Sequence, residues 1–313
     1  MVLNDQLRKC IVFIAARKEN RHVVGGTAFL VLHPVEDSTL YELYVVSARH
    51  CITDCMARSA DLSINLRLNM ADGGYKYLKT KETDWIYHPD SRVDVAVCWI
   101  NCTDKEFAVL AASKNQPLDT VYNQLPLLSE WFAVGQNLDI LNVTPGDDLY
   151  FPGLFVQNPG DKFNIPIIRT GSVAATPFEP IRTRLGMAQM YLAEVRSIGG
   201  HSGSPVFLDI NSLPKIHMVQ QLASKSGVRF DPEIPSMWGL VHGHFLMRAD
   251  SFSYDDFDDK DQNQSSFVAG ANDFNSGIAM IVPAQFILET LNQPELIEAR
   301  KNRLSKNQLL EKD

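Results

Sequence analysis

GGHSGSPVFLDI, residues 199–210, decides between two folds. Ser202 stands between Gly200 and Gly203, with His201 before it and Ser204-Pro205 after it. Three neighbourhoods look like this: a plain glycine-rich turn, a nucleophile elbow of the G-x-S-x-G kind, and a serine on a loop that enters a β-strand. The elbow runs from a strand into a helix. Pro205 and the β-branched and aromatic run that follows oppose a helix. The position that should hold the second elbow glycine is Ser204. The chain also lacks the alternation of strands and helices an α/β-hydrolase requires. The serine therefore belongs to a loop leading into a strand.

Outward from that loop, apolar β-rich runs recur between turn residues. The first group is CIVFIAA (10–16), TAFLVLH (27–33), LYELYVVSA (40–48), LSINLRLN (62–69) and VDVAVCWI (93–100). The second is LYFPGLFV (149–156), PIIRTGSVAA (166–175), MAQMYLAEV (187–195), PVFLDI (205–210), MWGLVHGHFLM (237–247) and GIAMIVP (277–283). Residues 103–146 are less regular, with some helix expected in SEWFAVGQNL (129–138). Helix periodicity is expected only near the end, over AQFILETLNQPELIEARKNRLSK. Two all-β groups joined by an irregular connector predict an all-β protein of two packed antiparallel barrels, one over 1–125 and one over 126–295, with a charged helical tail over 296–313.

The chain has 313 residues, 45% of them hydrophobic, and a net charge of −8. That surface repels phosphates, so nucleic acid is not expected as a partner. No apolar run approaches the roughly 18 residues of a membrane span, so no membrane partner is expected. CIVFIAA lies between charged residues and reads as a strand rather than a signal peptide. Cys10, Cys51, Cys55, Cys98 and Cys102 form no CxxC pair. With no export signal, reduced thiols in a cytoplasmic protein are expected.

A serine hydroxyl is a poor nucleophile until a base takes its proton. The run Val45-Val46-Ser47-Ala48-Arg49-His50-Cys51 ends a strand in a histidine, and Val93-Asp94-Val95-Ala96-Val97 buries a carboxylate in apolar company. An aspartate there is costly unless a donor such as an imidazole N–H meets it. His88 and Asp90 are rivals, but they lie in a proline-containing turn.

VVSA-R-HC, DVAV and GHSGSP, in that order, resemble the motifs of trypsin/chymotrypsin-like serine proteases. GGTAFLV and RTGSVAA are similar to further strands of that family. SGIAMIVPAQFILETL resembles the closing strand and helix of its HtrA-type branch, and GHSGSPVF the nucleophile segment of bacterial glutamyl endopeptidases. The likeness spans about residues 10–295. It implies two six-stranded-type barrels and a serine endopeptidase without metal or cofactor, acting on a protein or peptide substrate. Ser202 is then the nucleophile, His50 the general base and Asp94 its orienting carboxylate, with the N–H groups of Gly200 and Ser202 as the oxyanion hole. The alternative within the same fold is a catalytically silent module that binds a peptide or a partner.

The chain departs from the family in three places. Val23-Val24-Gly25-Gly26 gives Cys51 no half-cystine partner. His201 replaces the aspartate that zymogen members carry before the serine, so the expectation is a site that is either constitutively formed or switched by loop ordering, with a protein activator as a candidate partner. Two segments are unusually long: 208–236, and the aspartate-rich 249–272, which lacks the glycine and glutamate of an EF-hand. For specificity, Arg196 and Ser197 are expected on one pocket wall and His242, Gly243 and His244 on the other, the two histidines sharing a strand face. They suit an acidic or polar P1 side chain. His-x-His lacks a third zinc ligand.

Overall fold

The computed structural model describes residues 6–71, 73–100, 124–196, 200–210, 213–227, 231, 234, 236–248 and 273–310. Ser197, Cys102 and the aspartate-rich segment 249–272 lie outside them.

The first unit opens with a short helix α1 (Gln6–Lys9) and is built on the strands β1 (Ile11–Lys18), β2 (Arg21–Pro34), β3 (Tyr41–Ser47), β4 (Ile64–Asn69), β5 (Tyr75–Thr80), β6 (Trp85–Tyr87), β7 (Ala96–Ile100) and β8 (Leu127–Leu128), with α2 (Arg49–Arg58) between β3 and β4. Its sheet runs β5-β4-β1-β2-β3-β7-β6, and β8 adds to β2 in parallel. These ladders make a half-barrel.

After α3 (Gly135–Leu141), the second unit contains β9 (Asp148–Gly153), β10 (Ile167–Ala175), the hairpin β11 (Ile181–Thr183) and β12 (Gly186–Ala188), β13 (Tyr191–Val195), β14 (Pro205–Leu208), α4 (Leu213–Ser226), β15 (Ser236–Arg248) and β16 (Asp273–Pro283). Six of these strands close an antiparallel barrel in the order β10-β13-β16-β15-β14-β9. The helices α5 (Ala284–Leu291) and α6 (Pro294–Leu310) follow. The expected all-β double-barrel fold is therefore present, with the serine loop entering a strand, β14, as its sequence requires.

The second unit has a core of its own, and the core of the first continues into it through Leu154, Phe207 and Leu240. Phe13, Phe29, Leu30, Tyr44 and Val46 are among the fully buried side chains of the first, and Phe151, Val206, Trp238 and Ile281 of the second. The tail is not free. The buried Arg300 guanidinium meets the Glu36 carboxylate and donates to Tyr44 Oη at 3.3 Å and the Leu291 carbonyl at 2.8 Å. Arg303 donates to both Glu42 carboxylate oxygens, at 2.7 and 2.6 Å. Helix α6 is thus clamped to the β2–β3 hairpin.

The expectation that no helix interrupts the strands fails twice. His50 lies in the first turn of α2, and the long 208–236 segment holds α4, whose Val219 and Ala223 pack into the second core.

Candidate active site

Strand β3 stops at Ser47, and α2 starts at Arg49 with no side-chain cap from Ala48. The first N–H groups of a helix have no partner within it. Asp94 supplies one: its Oδ1 accepts the backbone N–H of His50 at 2.9 Å. Its Oδ2 accepts from His50 Nδ1 at 2.6 Å. The carboxylate is fully buried, two residues before β7 rather than inside it as expected. It therefore fixes both the backbone and the ring of His50, and leaves Nε2 as the ring's outward nitrogen.

A second imidazole reaches the same oxygen. His242 Nδ1 donates to Asp94 Oδ2 at 2.5 Å, its ring 5.8 Å from that of His50 and nearly perpendicular. Arg184, in the turn of the β11–β12 hairpin, brings a guanidinium nitrogen to 3.9 Å. Burial works to raise the Asp94 pKa, but the charge of His50 and the hydrogen bonds from His242 and His50 hold it well below the usual carboxylate range. For His50, burial opposes the charged form, but Cys51 and Asp94 outweigh it and push the imidazole well above its ordinary value.

His50, Asp94 and His242 are residue types that hold metals. Their N···O separations of 2.5 and 2.6 Å are hydrogen bonds. Ligands around a tetrahedral zinc stand roughly 3.2 Å or more apart, so this trio is arranged as a hydrogen-bonded cluster.

The serine loop is fixed by the first unit. Thr27 of β2 donates its backbone N–H to the Ser202 carbonyl at 3.3 Å and its hydroxyl to the Gly200 carbonyl at 2.6 Å. Gly203 adopts a φ of +80°, and a side chain there would strike the Thr27 carbonyl and Ser47 Oγ. Only glycine lets the loop press against the end of β3, next to the start of α2. Gly200, with φ +106°, has the same requirement against Leu154 and Val156. Ser202 Oγ itself donates to the His242 carbonyl at 3.5 Å, and His50 Nε2 has Cys51 Sγ at 3.6 Å. Among the described residues the His50–Asp94 bond is made and a Ser202–His50 bond is not.

The specificity residues separate. The β15–β16 register slips between Val241 and Gly243, a bulge that re-aims His242. His242 turns to Asp94, while the charge acting on His244 comes from Arg169. Sharing one strand face, as the sequence led us to expect, does not give the two histidines a common partner. Arg169, unremarked in the sequence, donates to the Arg196 carbonyl at 2.7 Å. Its Nε and the His244 Nε2 are buried without a hydrogen-bond partner. Burial, then Arg169, lower His244 to about 4. The rivals lie elsewhere: His88 Nε2 meets Glu289 at 3.2 Å and Asp90 pairs with Arg92.

No protein-family model and no curated protein sequence matches the chain. Among solved structures, the chain is similar to the MamO protease domain from Magnetospirillum magneticum in its apo form, with a TM-score of 0.48 and 11% identity over 92% of this chain and 98% of that one. It is also similar to a serine-to-alanine mutant of Rv3671c from M. tuberculosis H37Rv in its inactive form, with a TM-score of 0.41 and 13% identity over 93% of this chain and 92% of that one. The chemistry of the site rests on its own residues.

Proposed function

We propose that the protein is a serine endopeptidase that cleaves peptide bonds through an acyl-enzyme. The supporting observation is the buried Asp94 carboxylate, which holds His50 Nδ1 at 2.6 Å and so fixes the tautomer a general base needs. In this reading His50 Nε2 takes the Ser202 proton as Oγ attacks the scissile carbonyl. The Gly200 and Ser202 N–H groups receive the developing oxyanion. The imidazolium then protonates the leaving amine, and water releases the acyl group by the reverse sequence. Substrate or an activator turns Ser202 from the His242 carbonyl toward His50.

An acidic P1 side chain is part of the proposal. Arg169 and His244 offer two buried nitrogens that lack acceptors, and Arg169 is tied to Arg196, six residues before the serine. A substrate carboxylate supplies the missing acceptor.

A fluorophosphonate probe tests the reading: labelling of the native chain that disappears in Ser202→Ala is expected. A second reading, a silent peptide-binding module, is favoured by the Ser202 Oγ–His242 contact in place of a nucleophile–base bond. Absence of labelling with every candidate peptide or activator present would establish that one instead.

A further inference from the structure

The nitrogen that should receive the serine's proton faces sulfur. Cys51 Sγ is 3.6 Å from His50 Nε2, and the other ring nitrogen is held by Asp94. Carboxylate, imidazole and thiol thus form one line. A base supported on its far side by a carboxylate withdraws an S–H proton as it would an O–H proton, and the resulting thiolate is the reactive form of cysteine. Cys51 lies in the first turn of α2, with its backbone N–H bonded to the Ala48 carbonyl. Opposite it stands Gly26 of β2, where a Cβ would lie 3.5 Å from the Cys51 Cβ, so position 26 places no side chain against Cys51. The other described thiols have no such neighbour. Burial pushes Cys55 and Cys98 up to about 12, and Cys10 higher.

We infer that Cys51 is a covalent modification site for hydrogen peroxide, and that the adduct, seated at His50 Nε2, shuts off the base. The inhibitory half rests on the proposed protease reading. The thiolate attacks one peroxide oxygen, the S–O bond forms and the O–O bond breaks. Sulfur is oxidised to the sulfenic acid, peroxide is reduced to hydroxide, and the imidazolium proton converts that hydroxide to water. A thiol reductant reverses the step through a mixed disulfide. Peroxide is the oxidant chosen because Cys51 is only 8% exposed, which admits a small molecule and excludes a large one.

The test exposes the full native chain to limiting hydrogen peroxide, removes the peroxide, denatures in N-ethylmaleimide and measures each cysteine-containing peptide by mass spectrometry. Cys51 is expected to lose maleimide reactivity at least about tenfold faster than Cys10, Cys55 and Cys98, and His50→Gln to slow that loss about tenfold. Fluorophosphonate labelling of Ser202 should fall in step with Cys51 and return with dithiothreitol, while Cys51→Ala keeps its labelling in peroxide. Equal rates for the four thiols, or a Cys51 rate indifferent to His50→Gln, would overturn the site. Cys51→Ser, nearer in shape, repeats the resistance test should the alanine variant fold poorly. If Ser202 is unlabelled even before peroxide, the protease reading and the inhibitory half fall together, and the thiol rates still decide the modification site.

Discussion

Replacing Asp94 with asparagine isolates the tautomer argument. The carboxylate accepts three hydrogen bonds, from the His50 backbone at 2.9 Å, His50 Nδ1 at 2.6 Å and His242 Nδ1 at 2.5 Å. A charge-assisted bond of this kind contributes about 1.5–3 kcal/mol. Both rings share Oδ2 while the His50 backbone N–H takes Oδ1, so an amide that keeps its oxygen on that N–H turns its NH2 group toward both rings. A ring facing that NH2 must accept through Nδ1 and carry its proton on Nε2. For His50 that is the atom required to accept from Ser202, so the base is disabled without being removed. A tautomer error of this type costs about 10⁴ in rate, or about 5 kcal/mol at 1.36 kcal/mol per decade. Stability moves less, because the lost bonds are offset by no longer burying a charge, and a net change within about 2 kcal/mol is expected. The assay pairs the second-order rate of fluorophosphonate labelling with the urea midpoint. A rate within tenfold of native at an unchanged midpoint would show that Asp94 does not set the state of His50.

Other outcomes follow from the same contacts. His242→Asn, whose Nδ2 can stand in for Nδ1, should leave labelling within about threefold, whereas His242→Leu should lower it about 10–100-fold by removing one donor from a buried charge. Arg169→Met should cut kcat/KM for a P1-glutamate peptide by at least about 100-fold while sparing fluorophosphonate labelling; equal losses on both would place Arg169 outside the specificity pocket. Arg300→Ala should destabilise the fold by about 3 kcal/mol, since it leaves Glu36 facing an empty site at a largely buried interface, and a urea midpoint within error of native would count against the α6 clamp. Because His50 is raised above its ordinary 6.5, the rising limb of labelling against pH should lie above 6.5. The same shift adds stability that is complete below pH 6.5 and lost as pH rises through the folded value, so an unfolding midpoint that climbs steadily above neutrality would contradict it; the depressed Asp94 adds stability present above pH 3.8 and lost on acidification, so a midpoint that rises as pH falls below 3.8 would contradict that.

Much of the fold could be read from the sequence because strands carry period-two and continuous apolar signals, and every one of the eleven β-rich runs contains or overlaps a strand. The helices were harder. In α2, the sequence RHCITDCMAR carries few strongly apolar residues, and its start depends on a carboxylate more than forty residues later. In α4, Ile216, Val219 and Ala223 do share a helical face, a signal masked by the length of the segment. His50 and Asp94 could be found because burying a charge beside a strand demands a partner. A bulge at Val241–Gly243 has no local sequence mark, so the sequence does not show that His242 turns to Asp94. Arg169 was passed over because an arginine in a strand looks like any solvated cation until its unpaired Nε is seen to be buried.

The placement of the two units on one another requires directional contacts. Apolar burial is proportional to area and indifferent to direction, and the second unit has a core of its own. A slip of a few ångströms between the units would carry Ser202 away from His50. The polar seam resists such a slip. Thr27 holds the serine loop by its N–H and its hydroxyl, and the same Oγ accepts the Leu154 N–H at 3.0 Å. Asp94, from the first unit, holds His242 from the second at 2.5 Å. A hydrogen bond weakens steeply over half an ångström or a few tens of degrees. Contacts of this kind on both sides of the cleft therefore fix the register between His50 and Ser202 far more tightly than the apolar interface can. The second imidazole on Asp94 is thereby explained: it ties the orienting carboxylate to the strand whose carbonyl, at His242, now receives the serine hydroxyl.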